Sequence, residues 1–254
     1  MFDCVVAFGD SHVAGIEILT DYDQVYEPYI SGQVCLDNID DLSKNLSFPN
    51  KVAKYLGVPC YNYAIVGGSN DRSLRLLPQA LLSHPNSLVL FGYTGLDRSE
   101  FFYPSNDILL GKDKNDFMQV GVNWYEDCKT IEKKDKRFSN AINDFYVEKI
   151  LTANTFSNVK ISNLLFYVEL ACKKYAIDYR HIILFDDMFK GKDCKDVLSR
   201  IDKEKILNFN NLDENNNTYL SFCREKFSAK KYGHYGEEAH AATAELIIKS
   251  LKLQ

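Results

Sequence analysis

Four short apolar runs, each closed by glycine or by paired aspartates, constrain this chain more than any other feature. Cys4-Val5-Val6-Ala7-Phe8 stops at Gly9, Tyr61 to Val66 at Gly67-Gly68, Ser87 to Phe91 at Gly92, and His181 to Phe185 at Asp186-Asp187. Runs of this length bounded by turn residues read as strands buried on both faces. Helical patterns lie between and after them. Asn50 is placed to cap a helix through Tyr55 that Gly57 and Pro59 end. Ser69 or Asn70 caps another that puts Leu74, Leu77 and Leu81 on one face, with Pro78 bending or shortening it. The stretch from Asn140 to Tyr175 reads as mostly helix, and Glu237 to Leu251, rich in Ala, Glu, Leu and Ile, is the clearest helix of all. Strands alternating with helices predict an α/β fold: a three-layer α/β/α sandwich around a central parallel sheet. Ligands of such sheets bind beyond the carboxyl ends of the strands.

The 254 residues suffice for one large core, so the chain is read as a single domain, 1–254, with a lid or loop insertion at 97–140. Net charge is −5, and the longest basic stretch is the mixed Lys133-Lys134-Asp135-Lys136-Arg137, which argues against nucleic acid as a partner. Seven scattered cysteines lack any C-x-x-C spacing, so they read as reduced thiols without a zinc site. Met1-Phe2-Asp3 runs straight into a strand, without the pattern of a signal peptide. No apolar run approaches the ~18 residues of a membrane span. The expectation is a cytoplasmic protein of the producing cell, with no membrane partner.

Each turn flagged for chemistry falls at a strand end. Ser11, in Phe8-Gly9-Asp10-Ser11-His12, is handed to the next helix as an exposed hydroxyl. Acyl transfer needs such a nucleophile, a base within hydrogen-bond reach and donors aimed at the developing oxyanion. The Ser11 N–H, at a helix start, is one donor. Gly68 supplies a second, since glycine lets backbone approach a substrate closely. His234, in Tyr232-Gly233-His234-Tyr235-Gly236 before the last helix, is the base.

These blocks resemble the SGNH, or GDSL-like, hydrolase family of esterases, lipases and carbohydrate deacetylases. Gly9-Asp10-Ser11-His12 is similar to the family's nucleophile block. Asn62-Tyr63-Ala64-Ile65-Val66-Gly67-Gly68-Ser69 is similar to its second block, in which a glycine after a short strand donates to the oxyanion. By position that role falls on Gly68, with Gly67 as the alternative. His234, followed by His240 and Ala244, is similar to the last block. The resemblance implies an SGNH-hydrolase-like (flavodoxin-like) sandwich and a serine esterase needing no cofactor and no metal. Compositional bias towards Asn, Lys, Asp, Tyr and Ile is similar to that of virus-encoded members.

Two departures stand out. The family's third block supplies an asparagine as oxyanion donor, whereas this chain reads Gly92-Tyr93-Thr94-Gly95-Leu96-Asp97-Arg98. Thr94 offers a hydroxyl instead, and Arg98 a guanidinium able to stabilise negative charge or hold an anionic substrate group. One such donor is worth about 3 kcal/mol of transition-state stabilisation. The family's aspartate two or three residues before the histidine is replaced by Lys231 and Tyr232. That predicts a Ser-His dyad, a backbone carbonyl orienting the ring, or a substitute carboxylate, for which Asp186 and Asp187 lie at the correct sheet edge.

Blander roles compete for several of these residues. Ser11 also fits a plain helix cap, Asp10 a turn-ordering acceptor, His12 a substrate contact or a solvent-facing helical residue, and His240 a packed residue near a helix start. Arg98 and Glu100 read as a structural clamp on their loop. Tyr22, Tyr26, Tyr29, Phe101, Phe102 and Tyr103 suit a sugar ring or acyl chain, and equally a homo-oligomer interface. The sequence therefore carries two functions. One is a serine hydrolase cleaving a small-molecule or glycan ester, such as a carbohydrate O-acetyl group, with transfer of the acyl group to a sugar as a variant. The other is a catalytically degenerate binding or structural protein on the same fold.

Overall fold

The computed structural model describes residues 2–16, 18, 41–96, 98–102, 117–121, 154–185, 199, 201–209, 217–230 and 233–252. Four strands form one sheet: β1 (Cys4–Phe8), β2 (Cys60–Asn62), β3 (Ser87–Tyr93) and β6 (Asp178–Ile183), in the order β2-β1-β3-β6. Every pairing is parallel, with Val5 opposite Cys60 and Leu88, and Leu88 opposite Asp178. A second, two-stranded antiparallel sheet pairs β4 (Arg98–Phe102) with β5 (Phe117–Gly121). The helices are α1 (Ser11–Ala14), α2 (Asp41–Leu46), α3 (Phe48–Leu56), α4 (Asn70–Ser83), α5 (Asn154–Lys174), α6 (Tyr219–Lys226) and α7 (Glu237–Ser250).

Strand periodicity divides the core into two layers. Val5, Ala7, Leu88, Leu90 and Ile182 face α1, α3, α6 and α7, contributed by Val13, Phe48, Val52, Tyr219, Phe222 and Ile247. Their alternates, Cys4, Val6, Phe8, Val89, Phe91, Tyr93 and Ile183, face α4 and α5 through Leu77, Leu81, Ile161, Leu165 and Val168. The protein is thus a three-layer α/β/α sandwich on a parallel sheet. Both faces of the sheet are covered, which is why its strands read as continuous apolar runs.

Several boundaries differ from the sequence reading. β2 ends at Asn62 and not at Val66, because the Asn62 side chain accepts the Ala64 N–H (3.1 Å) and turns the backbone out of the ladder. α3 begins at Phe48, and Asn50 lies inside it, donating to the Lys44 carbonyl (2.8 Å). Its first turn is capped from afar: the Phe48 N–H donates to Nδ1 of His240 (3.1 Å), and the two rings stack. α4 runs through Pro78 to Ser83 without a break. Ser69 is its cap, its hydroxyl accepting the Arg72 N–H (3.2 Å). Of the stretch read as helix from Asn140, the portion before Asn154 lies outside the described residues, as does most of the 97–140 insertion. The described portions of that insertion are strands β4 and β5.

Candidate active site

The turn after β1 presents Ser11. Gly9 has φ of 149°, and a Cβ there would stand 2.4 Å from Val13 Cγ2, so only glycine lets α1 start this close to the strand. Asp10 caps α1 by accepting the His12 N–H at Oδ1 (3.0 Å), and Gly15, in the left-handed region, ends the helix after four residues.

His234 reaches this turn from the far end of the chain. The loop that carries it is closed by the Lys230 N–H on the His234 carbonyl (2.8 Å) and the Gly233 N–H on the Lys230 carbonyl (3.0 Å). Lys230 Nζ donates in turn to the carbonyl of Ile18 (3.0 Å), just beyond α1. Nε2 of His234 lies 2.7 Å from Ser11 Oγ, although 223 positions separate the residues. Both side chains are almost buried, at 6% exposure for Ser11 and 8% for His234. With the proton on Nδ1, the Nε2 lone pair accepts the serine hydroxyl, the arrangement a general base requires.

His12 is not solvent-facing, contrary to one sequence expectation. Its ring packs edge-on to Phe185, against Tyr219, and 4.8 Å from the His234 ring. Its Nδ1 is buried without a hydrogen-bond partner. Burial, reinforced by the neighbouring His234 and Arg98 and opposed by Asp10, lowers its pKa to about 4. The ring is therefore uncharged at neutral pH. His240 is a packed residue, its pKa lowered to about 3 by burial first and then by His12, Lys51 and His234.

The Gly67-Gly68 turn lies against the turn that bears Ser11. Gly67 takes φ of 64°, and the Gly68 N–H donates to the Ile65 carbonyl (3.1 Å) within its own turn. A Cβ on Gly68 would meet the Gly9 carbonyl oxygen at 2.5 Å. Glycine at 68 is thus explained by the close approach of this protein's own backbone, where the sequence reading invoked a substrate.

Thr94 and Arg98, expected beside an oxyanion or an anionic substrate group, both bond Asp10 in the structure. The Thr94 hydroxyl donates to Oδ2 of Asp10 (2.9 Å), and Arg98 Nη1 donates both to that oxygen (2.7 Å) and to Thr94 Oγ1 (2.8 Å). Burial raises the Asp10 pKa, yet the nearby positive charge and the His12 N–H and Thr94 hydroxyl bonds outweigh it, and the carboxyl is held below its usual range. The charges responsible are those of His12, once its ring is protonated near pH 4, and of Arg98. Where an Arg98–Glu100 clamp is expected, Glu100 receives two bonds from Arg75 on α4 (2.6 and 2.8 Å). Asn70, read only as a cap, makes a reciprocal pair with the Thr94 backbone, donating to its carbonyl (2.8 Å) and accepting its N–H (3.1 Å). No periodic sequence signal distinguishes these partnerships.

Asp186 and Asp187, and the Lys231-Tyr232 pair, lie outside the described residues. Among the described residues, no three His, Cys, Asp or Glu side chains converge as metal ligands, and no helix is long and apolar enough to cross a membrane. No family model and no curated protein matches the sequence. Among solved structures the chain is similar to the crystal structure of TesA, at a TM-score of 0.49 and 11% identity over 98% of each chain.

Proposed function

We propose that the protein is a serine hydrolase of the SGNH/GDSL-like kind that cleaves a carboxylic ester through an acyl-enzyme. The observation that carries this reading is the 2.7 Å approach of His234 Nε2 to Ser11 Oγ at the carboxyl edge of a parallel sheet. Ser11 Oγ attacks the ester carbonyl carbon while its proton passes to His234 Nε2. The tetrahedral oxyanion faces the first-turn amide of Ser11, which has no intrahelical acceptor. Its collapse breaks the bond to the alkoxy oxygen, and His234 returns the proton to the departing alcohol. Water then attacks the acyl-Ser11 carbonyl, giving its proton to His234, and the carboxylic acid leaves as Ser11 recovers that proton.

The substrate class assigned by this reading is a small-molecule or glycan ester such as a carbohydrate O-acetyl group. The setting assigned is cytoplasmic, with neither nucleic acid nor membrane as partner. Arg98 is neutralised by Asp10, which favours an uncharged group beside the nucleophile over an anionic one. Release of acetate from p-nitrophenyl acetate and from acetylated xylo-oligosaccharides tests the reading. Turnover is expected from the wild type and not from Ser11→Ala, and turnover that survives in Ser11→Ala overturns the mechanism.

A specific observation favours the second reading, a degenerate binding protein. Three groups assigned to the oxyanion already have partners: the Gly68 N–H on Ile65, the Thr94 hydroxyl on Asp10 and Arg98 Nη1 on Asp10. A wild type inert towards every ester, yet retaining a glycan in equilibrium dialysis, decides for that alternative.

A further inference from the structure

We infer that Arg98 is a positioning residue, which locks the β4–β5 sheet onto the nucleophile turn through the buried carboxylate of Asp10. Resting on the hydrolase reading, this inference adds to it a residue that touches no reacting atom. Asp10 is completely buried and takes four roles at once. It precedes Ser11 in the chain, caps α1 at the His12 N–H, receives the Thr94 hydroxyl from the end of β3, and pairs with Arg98 at the start of β4. Ser11 is thus flanked by two residues whose positions the one carboxylate fixes.

The ion pair is made at 2.7 Å between a carboxylate of 0% exposure and a guanidinium of 17%. A buried pair of this kind contributes little over an apolar substitute, but losing one partner is costly because the other is left charged and desolvated. A second pair, Arg75–Glu100, fastens the same strand to α4, with the Glu100 side chain only 4% exposed. Residues 98 and 100 lie on one face of β4, so alternate residues of that face tie the strand to the Ser11 turn and to α4. Lys160 Nζ adds a bond to the Leu96 carbonyl (3.3 Å) at the same connection. The first strand of the insertion is therefore fastened at its start to the turn that bears Ser11. A single nitrogen, Nη1, bonds both Asp10 and Thr94, and the guanidinium carbon lies 5.4 Å from the centroid of the Phe185 ring.

The test is a cycle of Arg98→Met, Asp10→Asn and the double variant, measured in the full chain for p-nitrophenyl acetate hydrolysis and for thermal unfolding. Arg98→Met is expected to lower kcat by about tenfold or more while KM changes by less than about threefold. Asp10→Asn/Arg98→Met is expected to be at least about fivefold more active than Arg98→Met, and to unfold at a higher temperature, because the stranded charge is gone while Asn still caps His12. Arg98→Lys, which keeps one cationic nitrogen, is expected to recover most of the loss. An unchanged kcat with raised KM in Arg98→Met makes Arg98 a substrate contact and overturns the inference, as does a double variant no better than Arg98→Met. If Arg98→Met does not fold, Arg98→Gln, which likewise removes the cation, takes its place in the cycle, read by the same criterion. Failure of the hydrolase reading is separately visible as activity in Ser11→Ala, whereas the unfolding cycle reads the latch without any substrate.

Discussion

The carbonyl oxygen of Gly9 occupies the space that a side chain on Gly68 would need, 2.5 Å from the position of its Cβ. Two turns at the ends of adjacent strands are thereby packed backbone to backbone, and the turn bearing Ser11 rests on the turn after β2. A methyl group at 68 must push them apart. Gly68→Ala is expected to cost roughly 1–3 kcal/mol of stability, the range for overpacking a close contact. It should also slow ester cleavage at least about tenfold, because a displacement near 1 Å misaligns attack. Denaturant unfolding and kcat/KM together check this, and a variant with native activity would show that the turns are free to slide.

Acid should destabilise the protein well before its carboxylates titrate. Burial holds His12 at about pKa 4 and His240 at about 3, against 6.5 for an unperturbed imidazole. Below pH 6.5 the unfolded chain takes up protons that the folded chain refuses. The contribution of these rings is therefore complete above pH 6.5 and is lost progressively as pH falls towards those lowered values. Each ring should add roughly 1.4 kcal/mol per pH unit to the slope of stability between about pH 6 and 4.5. His240→Gln, whose side-chain oxygen can still accept the Phe48 N–H, is expected to remove one proton from that slope. Urea unfolding across the pH range measures it, and an unaltered slope would contradict the assignment.

Tyr93 tests whether the layer opposite His234 is purely structural. Its hydroxyl is 2.7 Å from Nδ1 of His181, with both side chains fully buried among α4 and α5 residues. Tyr93→Phe leaves that nitrogen unsatisfied and is expected to cost about 1–3 kcal/mol. Because His234 belongs to the other layer, kcat should stay within about twofold of wild type. Unfolding and steady-state rates on the same preparation decide this.

Much of the frame was legible because buried strands and glycine-closed turns leave a local imprint. β1 ends at Phe8, β3 starts at Ser87, and α7 starts at Glu237, each as the residue pattern requires. β2 was overestimated because Tyr63 to Val66 is apolar for a different reason: Ala64, Ile65 and Val66 join the core layer of α1 and α3, and Tyr63 stacks on Phe8 in the other layer. The meeting of Ser11 with His234 was expected from block order alone. The reason for Gly68, the Asp10–Thr94–Arg98 cluster, the Asn70–Thr94 pair and the proximity of His12 to His234 were not readable. Each depends on which side chains long-range strand order brings together, and neither spacing nor periodicity encodes that.

The central claim is that His234 activates Ser11, and covalent labelling by a fluorophosphonate probe, with the adduct located by mass spectrometry, tests it most directly. The expected result is an adduct on Ser11, none in Ser11→Ala, and labelling slowed by about 10³-fold or more in His234→Ala. An adduct on another residue, or labelling of Ser11 at the same rate without the imidazole, would contradict the claim.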